Sequence, residues 1–290
     1  MGRLKYALRS CVAYAVLLGI GSIPGVTYGA DVLPVKAPQQ AGCAQAVDGI
    51  NGKVSTLGGS FANNGVYGGM GSLGLPLGCE LGAQIDGTAA SFDKRFLGSI
   101  AGHIFWRDPA KALVGLYGSY TYWNSNVGGV NSNHIGPEGE LYMGRWTLQG
   151  LGGVEFGNSV SGPVGPIIQT YDIKTRFFDE VNLAYYLEDN FKVYAGHRYL
   201  AGRNALAIGG EYGIPMSHGV MASLFLEGRV GEDSFNGVWG GLRFYFGQKD
   251  KTLIRRQRED DPIVWDDFGI TNNGSTAPGA PPPCSGDGCG

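Results

Sequence analysis

Apolar and polar residues alternate with a period of two through most of the chain between positions 47 and 247. In residues 219–230, "GVMASLFLEGRV", Leu224 and Leu226 share one parity, whereas Glu227 and Arg229 share the other. Successive side chains of a β-strand point to opposite faces, so this period predicts strands and not helices. Each strand would have one apolar face and one polar face.

Twelve segments follow this pattern and predict the order of strands along the chain. They are residues 48–60, 66–75, 79–89, 97–107, 111–124, 133–144, 146–157, 176–187, 191–200, 204–214, 219–230 and 237–247. Many approach the length of about 9–11 residues with which a tilted strand crosses a bilayer. The pattern therefore predicts an all-β fold, an antiparallel up-and-down transmembrane β-barrel of about twelve strands, within a range of ten to fourteen.

The connections between these segments also alternate, between compact turns such as "MGRW" and "LEDN" and longer polar stretches such as residues 158–175. Short turns on one side and longer loops on the other are typical of outer-membrane barrels. An even number of strands would place both termini on the short-turn side, in the periplasm. Residues 158–175 would either fold inward as a constriction or stand outside as a surface loop.

The charged residues within the segments indicate which face meets water. Eleven of them lie opposite the main apolar face and are predicted to line the lumen: His103, Arg107, Glu138, Glu140, Glu155, Glu180, Lys192, Glu211, Glu227, Arg229 and Arg243. A midplane arginine on the lipid face would cost about 2–4 kcal/mol. Twelve strands would also enclose more space than apolar side chains fill well, which disfavours a soluble secreted barrel.

The opposite parity is predicted to face lipid or the membrane interface. Its residues include Trp106, Trp146, Leu224, Leu242, Phe244 and Phe246, and other aromatic residues, among them Trp123, also lie near segment ends. Amphipathic rings at both ends suit the two bilayer interfaces. Asp179 breaks the parity rule, and of the adjacent His197 and Arg198 one must face lipid or an interface. Inside, Arg107, Arg229 and Arg243 should form ion pairs with glutamates.

The flanking regions differ from the alternating region. Residues 1–30 have the basic, apolar and small-residue order of a signal peptide, and residues 31–46 form an extended periplasmic linker with two prolines. The barrel is assigned to residues 47–247. Residues 248–290 are charged and then rich in proline and glycine, which predicts a disordered periplasmic tail, either a solvated linker or a contact with peptidoglycan or a periplasmic partner.

The bulk composition excludes one class of partner. The 290 residues carry a formal net charge of −3, so nothing indicates nucleic-acid binding. Glycine is abundant, with 51 residues, and charged residues make up only 16%. This composition suits either a secreted β-protein or an outer-membrane barrel, in which alternation spreads the apolar residues thinly.

The stretch "VWGGLRFYFG" carries a family resemblance. Its residues Gly241, Phe244 and Phe246 are similar to the glycine, aromatic, aromatic spacing of the C-terminal recognition strand of Gram-negative outer-membrane β-barrels. The stretch "ADVLPVKAP" resembles the mature N-terminus of several small alphaproteobacterial outer-membrane protein families. The resemblance implies a barrel in the outer membrane, with membrane lipid and the barrel-assembly machinery as partners. It does not imply an activity.

Residue patterns for catalysis are weak. Barrel phospholipases and lipid A deacylases use a His-x-Ser pair, and none of the four histidines is followed by serine two positions later. Glu138 and Glu140 share one face and could do acid–base chemistry, but a solvated pair facing arginine explains them as well. The sequence therefore predicts a non-enzymatic protein without cofactor or metal, a small porin-like channel or a structural envelope barrel with a mixed-charge lumen. The alternative is a barrel enzyme acting on lipid or lipid A.

Four cysteines remain after the signal segment, and export to an oxidising compartment favours disulfides. Cys43 precedes the first strand and Cys79 lies in a short turn, so both should be at the periplasmic end. Cys284 and Cys289 are near neighbours in the tail. We expect the bridges Cys43–Cys79 and Cys284–Cys289.

Overall fold

The computed structural model describes residues 45–265 and 268–278. The predicted signal peptide and nearly all of the linker lie outside these residues, as do Cys43, Cys284 and Cys289. The elements are β1 Asn51–Phe61, β2 Asn64–Pro76, β3 Leu81–Phe92, β4 Arg95–Asp108, β5 Ala112–Ser125, β6 Gly128–Met143, β7 Trp146–Gly157, β8 Ser159–Val164, β9 Ile167–Asp172, β10 Arg176–Glu188, β11 Phe191–Leu200, β12 Arg203–Pro215, β13 Val220–Gly231, β14 Gly237–Phe246, α1 Leu253–Glu259, a 3₁₀ helix Phe268–Asn272 and β15 Gly274–Pro278.

Twelve of the strands close into an antiparallel barrel, as predicted. Each pairs with its neighbours in sequence, β14 pairs with β1, and β7 pairs directly with β10. The intervening β8 and β9 leave the wall and form a separate three-stranded sheet with β15. Every predicted segment overlaps one barrel strand. Lipid on one side of the wall requires strict alternation along each strand, so the alternation in the sequence marks the strands.

The two ends of the barrel are distinguished by what they carry. The terminal end holds the start of β1 and the end of β14, and the hairpin end holds the β8–β9 hairpin. Connections at the terminal end are compact, as predicted. The expectation of longer loops at the other end is wrong for most of them, because four of its six connections are only two residues long. Residues 158–175 form the one long connection there.

Left-handed backbone explains these tight connections. Ala62 and Asn63 have φ of 49° and 64°, and Asp93 and Lys94 have φ of 49° and 61°. Two successive residues with positive φ form the type I′ turn, whose twist matches the twist of the flanking strands. The strands therefore continue to the very end of the wall, past the limits that the polar pattern indicated.

The outer wall is apolar. Leu224 and Leu242 are 54% and 46% exposed, and Val230 reaches 71%. Trp106, Trp146, Phe244 and Phe246 are also exposed. Leu224 and Leu242 lie opposite each other on β13 and β14, near the middle of the wall. A soluble barrel would have these leucines inside, so the structure excludes that alternative. Within the described residues, no helix is both long enough and apolar enough to cross a membrane.

The C-terminal region corrects the sequence prediction. Residues 248–290 were expected to form a disordered periplasmic tail, but Leu253, Arg256, Trp265 and Phe268 are buried, and β15 pairs with β9 at the hairpin end. The described part of this region therefore enters the barrel at the terminal end and reaches the opposite end. We call residues 251–278 the lumen segment. Its charges led the sequence analysis to place it in water, whereas the barrel supplies ionic partners.

The first prediction concerns the outer wall. Leu224→Arg places a charge near the bilayer midplane and should make insertion into the membrane less favourable by about 2–4 kcal/mol. The matched control is Leu77→Arg, an exposed residue of the turn after β2, where the cost falls to about 0–1 kcal/mol near the interface. The amount of folded, heat-modifiable barrel in the membrane fraction measures both. Equal assembly of the two variants would contradict the assignment of the outer wall.

The second prediction concerns the cysteines. The amide of Ala46 donates a hydrogen bond to the carbonyl oxygen of Cys79 at 2.7 Å. Cys43 precedes Ala46 by three residues, which span at most about 10 Å, so its sulfur can reach that of Cys79. Non-reducing peptide mapping should recover a Cys43–Cys79 linked pair and a separate Cys284–Cys289 pair. Free thiols at Cys43 and Cys79 would rule out the first bridge.

Candidate functional site

The lumen is the candidate functional site, because inward-facing chemistry converges there from every strand of the barrel. Of the eleven charged residues predicted to line it, ten are buried and Arg243 is half-buried. They lie inside the wall, opposite the exposed apolar face. The parity analysis therefore located these side chains correctly, and their partners are resolved by the structure.

Ion pairs run along the inner wall. Arg243 Nη1 lies 3.0 Å from Glu211 Oε2, and Arg229 Nη2 lies 2.7 Å from Glu227 Oε1, as the sequence led us to expect. Arg198 Nε lies 3.0 Å from Glu180 Oε2. Arg198 thus takes the inward position and leaves its neighbour His197 outside. Arg176 Nε, at the start of β10, lies 3.0 Å from Glu155 Oε2.

Arg107 is the exception to the predicted arginine–glutamate pairing. Its Nη1 donates to the carbonyl oxygen of Ala46 at 3.0 Å and to that of Asp260 at 3.3 Å. Its guanidinium also lies 4.8 Å from the ring centre of Phe105. Arg107 therefore joins the wall to the N-terminal segment and to the lumen segment, neither of which the sequence placed inside.

His103 and Glu138 form a second polar cluster. The Nδ1 atom of His103 lies 2.9 Å from a Glu138 carboxylate oxygen, and its Nε2 atom lies 2.9 Å from Asp86 Oδ2. Glu140 instead accepts hydrogen bonds from the Tyr142 hydroxyl at 3.0 Å and from Gln149 at 3.2 Å. The two glutamates thus have separate partners, and they do not form a paired acid–base site.

The lumen segment begins with α1, which has seven residues and is too short to be stable alone. The turn between β10 and β11 satisfies its first backbone amides. Asn190 Oδ1 accepts from the Leu253 amide at 3.0 Å, and the Asp189 carbonyl accepts from the Ile254 amide at 3.0 Å. The wall therefore holds the first turn of the helix in place.

The side chain of Gln257 reaches from α1 into the ion-pair network. Its Oε1 accepts from the Tyr186 hydroxyl at 2.6 Å and from Lys192 Nζ at 2.8 Å. Its Nε2 donates to Glu211 Oε2 at 3.1 Å. Arg258 donates to the carbonyl oxygens of Gly144 and Trp146, each at 2.9 Å. The segment is thus hydrogen-bonded to several strands of the wall.

After the helix, the acidic residues of the lumen segment meet lysines. Lys53 of β1 forms an ion pair with Asp261, and its Nζ donates to the Pro262 carbonyl at 3.0 Å. Lys251 contacts Asp260 and also lies 2.9 Å from Asp48 Oδ2. Lys53 and Asp261 are 7% and 2% exposed at their side chains, so water contributes little to their solvation. Each charge therefore depends on its partner.

An apolar cluster lies in the lumen near the hairpin end, beside the ion pairs of the wall. Trp265, Phe268 and Ile270 join a buried cluster formed by inward-facing side chains of the wall. The ring centre of Phe268 lies 5.3 Å from that of Trp239 and 6.1 Å from that of Phe61. Trp123, which the sequence analysis assigned to a membrane interface, is only 3% exposed and belongs to this cluster.

The hairpin end is closed by the same elements. Arg203 donates to the carbonyl oxygen of Asn272, β15 pairs with β9, and Tyr171 of β9 packs edge-on against Trp123 with ring centres 4.9 Å apart. Residues 158–175 therefore form neither of the simple alternatives, an inserted constriction or a free loop. They form a sheet that takes up the end of the lumen segment.

A small cavity of about 90 Å³ lies among Lys53, Glu211, Arg243 and Trp265, between the lumen segment and the wall.

One serine, histidine and carboxylate do converge inside the barrel. Ser119 Oγ lies 3.4 Å from His134 Nδ1, and His134 Nε2 lies 3.9 Å from Glu155 Oε1. All three residues are buried, and Glu155 is also paired with Arg176. Nucleophilic catalysis requires an open position beside the hydroxyl. None of the three residues lines the cavity among Lys53, Glu211, Arg243 and Trp265.

Sequence reasoning missed the lumen segment altogether, although it contained one signal. The stretch "DDPIVWDDFGI" combines acids with apolar and aromatic residues, whereas a solvated linker has few of the latter. That mixture suits a surface that must meet both lysines and an apolar cluster. The partners themselves, such as Lys53, could not be identified, since they lie at the other end of the chain.

Comparisons with known proteins find similar solved structures. No protein-family model and no curated protein matches the chain. A structure from work on the mechanism of in-meso crystallization of membrane proteins matches with a TM-score of 0.50 and 14% identity, covering 75% of this chain and 96% of that chain. An outer-membrane channel from Pseudomonas putida F1 matches at 0.49 and 11%, covering 73% and 99%. The translocator domain of the autotransporter NalP from Neisseria meningitidis matches at 0.45 and 11%, covering 68% and 87%.

At these identities the likeness concerns the fold and carries no activity with it. The fold itself, a closed barrel with an exposed apolar wall and a charged interior, is that of a transmembrane barrel of the outer-membrane type. The resemblance to alphaproteobacterial families stays a prediction.

The third prediction tests the buried contact between wall and lumen segment. Lys53→Met leaves Asp261 as an unpaired buried charge and should lower the free energy of unfolding by about 3–5 kcal/mol. The double variant Lys53→Met with Asp261→Leu should recover most of that loss, because no lone charge remains. Denaturant unfolding followed by tryptophan fluorescence measures both.

The matched control for this prediction is Lys111→Met, which removes an ion pair with Asp108 that is open to solvent at the lysine. Its stability should equal that of the wild type, since exposed pairs contribute little. A Lys53→Met variant as stable as this control would show that the Lys53–Asp261 contact is not formed in the membrane.

Proposed function

We propose that this protein is a structural outer-membrane barrel, closed to solutes, that holds its own C-terminal segment across the membrane. The observation that supports it is the lumen segment itself, which contacts the wall from α1 to the 3₁₀ helix and pairs with β9 through β15. An open porin needs a water-filled path between the two ends. Here an apolar cluster surrounds part of the lumen segment, and paired charges line much of the inner wall.

We propose that the terminal end faces the periplasm and the hairpin end faces outward. Outer-membrane barrels have short periplasmic turns and longer external loops. The longest connection among the described residues, 158–175, lies at the hairpin end. The chain after Pro278 would then begin on the outer side of the membrane, opposite the start of β1.

We propose a non-enzymatic role. Its support is the location of the group formed by Ser119, His134 and Glu155, which lies inside the lumen and away from lipid. The rival function, hydrolysis of lipid, would place such a group where an acyl chain can reach it. Outer-membrane lipid and the assembly machinery, through β14, remain the proposed partners. The support for β14 is its exposed Phe244 and Phe246 at the terminal end.

The fourth prediction is a topology experiment. One epitope is inserted after Gly165, in the turn of the β8–β9 hairpin, a second is appended after Gly290, and a third is inserted in the turn between β6 and β7 at the terminal end. In intact cells, the first two should have the same accessibility to antibody, because β15 lies beside β9. The third should have the opposite accessibility. This comparison does not depend on which side is external.

If the appended epitope instead behaves like the one in the β6–β7 turn, the segment does not cross the lumen and the proposed function fails.

Conductance measured on the purified protein is a separate test. Purified full-length protein should give no steady channels in a planar bilayer. The full-length variant Trp265→Ala with Phe268→Ala, which removes the two rings from the apolar cluster, should show discrete openings. Stable porin-type conductance from the wild type would support the channel alternative.

A further inference from the structure

Two ionisable side chains point out of the barrel wall toward lipid. Among described strand residues more than two positions from a strand end, Asp179 of β10 and His197 of β11 are the only acidic or basic ones on the outer face. All the others are inside and partnered. Charged groups on a lipid-facing wall are costly, and where they persist they mark sites of function. Closure of the lumen does not require either of them.

These two residues belong to a hydrogen-bonded row that extends to the hairpin end. His197 Nδ1 lies 2.7 Å from Asp179 Oδ1, and His197 Nε2 lies 3.2 Å from Asn204 Oδ1. The side-chain amide of Asn204 donates to Glu232 Oε2 at 3.1 Å, and its backbone amide donates to the same oxygen at 2.8 Å. Each polar group is thus oriented by the next.

An open groove lies directly beside this row. It has a volume of about 470 Å³ and combines His197, Asn204 and Glu232 with Leu206 and Val230. The last two side chains are 53% and 71% exposed. Asn204 and Glu232 lie toward the hairpin end, whereas Leu206 and Val230 are in register with His197, further into the wall. A molecule with one polar and one apolar end would match both parts.

The depth of the row agrees with a lipid headgroup. β11 has ten residues, and at the usual rise and tilt it spans roughly 23 Å, close to the apolar band of about 25 Å in such barrels. His197 lies three residues from the end of β11, roughly 7 Å below it along the barrel axis. The row therefore runs through the boundary between acyl chains and headgroups.

The local charges restrict which headgroup fits. Asp179, Glu232 and Asp233 are acidic, and Arg203, which lies 3.6 Å from Asp233, is the nearby guanidinium. The hydrogen bonds from the backbone and side chain of Asn204 hold the pKa of Glu232 below its usual value, so this carboxylate is ionised. Carboxylates accept hydrogen bonds and repel anions.

We propose that this groove is a lipid-binding site for a headgroup rich in hydrogen-bond donors, either an ammonium group or sugar hydroxyls, with an acyl chain against Leu206 and Val230. Asp179 and Glu232 would accept the donors. His197 and Asn204 would keep the two carboxylates in place. The site lies on the outer wall and does not depend on the state of the lumen.

Native mass spectrometry of the full-length protein in detergent tests the proposal with four defined lipids. These are phosphatidylethanolamine, a glycosyl diacylglycerol, phosphatidylcholine and phosphatidylglycerol. One or both of the first two should be retained about tenfold more strongly than phosphatidylcholine, the ratio expected for one charge-assisted hydrogen bond. Preference for the first lipid identifies an ammonium ligand, and preference for the second identifies a sugar. Equal retention of all four, or preference for the anionic phosphatidylglycerol, overturns the proposal.

Two pairs of variants provide the controls. Asp179→Asn with Glu232→Gln should abolish the preference, whereas Asp189→Asn, an exposed carboxylate at the terminal end, should preserve it. Leu206→Trp should fill the groove and reduce retention about tenfold, whereas Ile208→Trp, two residues further along the same outer face, should not. The heat-modifiable band reports folding of each variant. Retention that is unchanged by Leu206→Trp in a folded barrel would also overturn the site.

Discussion

A closed wall of twelve strands encloses more space than its own side chains can fill, and much of this structure follows from that constraint. The space must contain water, a ligand or polypeptide. In this protein the described part of the C-terminal region occupies it. Many of the inward-facing residues consequently contact protein.

The lumen segment has two kinds of surroundings. Toward the terminal end, Asp261 pairs with Lys53 of the wall, and Asp260 pairs with Lys251 of the segment itself; both pairs are buried. A buried charge is tolerated only with a partner and further hydrogen bonds. Near the hairpin end, the rings of Trp265 and Phe268 pack into an apolar cluster of the wall.

The polar contacts and the apolar cluster both support the proposed function. The polar contacts fix the position of the segment along the barrel axis, and the aromatic cluster excludes water beside it. β15 then extends the β8–β9 sheet and fastens the far end of the segment. In the proposed function, a segment held in this way closes the barrel and connects its two ends. The outer wall has a separate task, contact with lipid, and the row from Asp179 to Glu232 adds ionisable groups to its mostly apolar surface.

The sequence by itself determined the wall. Lipid outside and charge inside impose one parity on each strand, so the twelve strands, the inward position of Glu227 and Arg243 and the outward position of Leu224 could be predicted from local pattern. The choice between His197 and Arg198 was left open, because adjacent residues of opposite parity satisfy the pattern equally well.

Only the tertiary structure decided what fills the barrel. Residues after Gly247 have no period of two, and their charges favour water when no partner is known. Their partners are distant in sequence: Lys53 and Pro262, joined by a hydrogen bond, are 209 positions apart. The inward position of Trp123 could not be predicted for the same reason. A ring near a strand end suits the membrane interface, and only the folded barrel shows the apolar cluster that Trp123 joins. The wall is fixed by alternation within single strands, whereas the filling of the lumen depends on contacts that exist only once the barrel has closed.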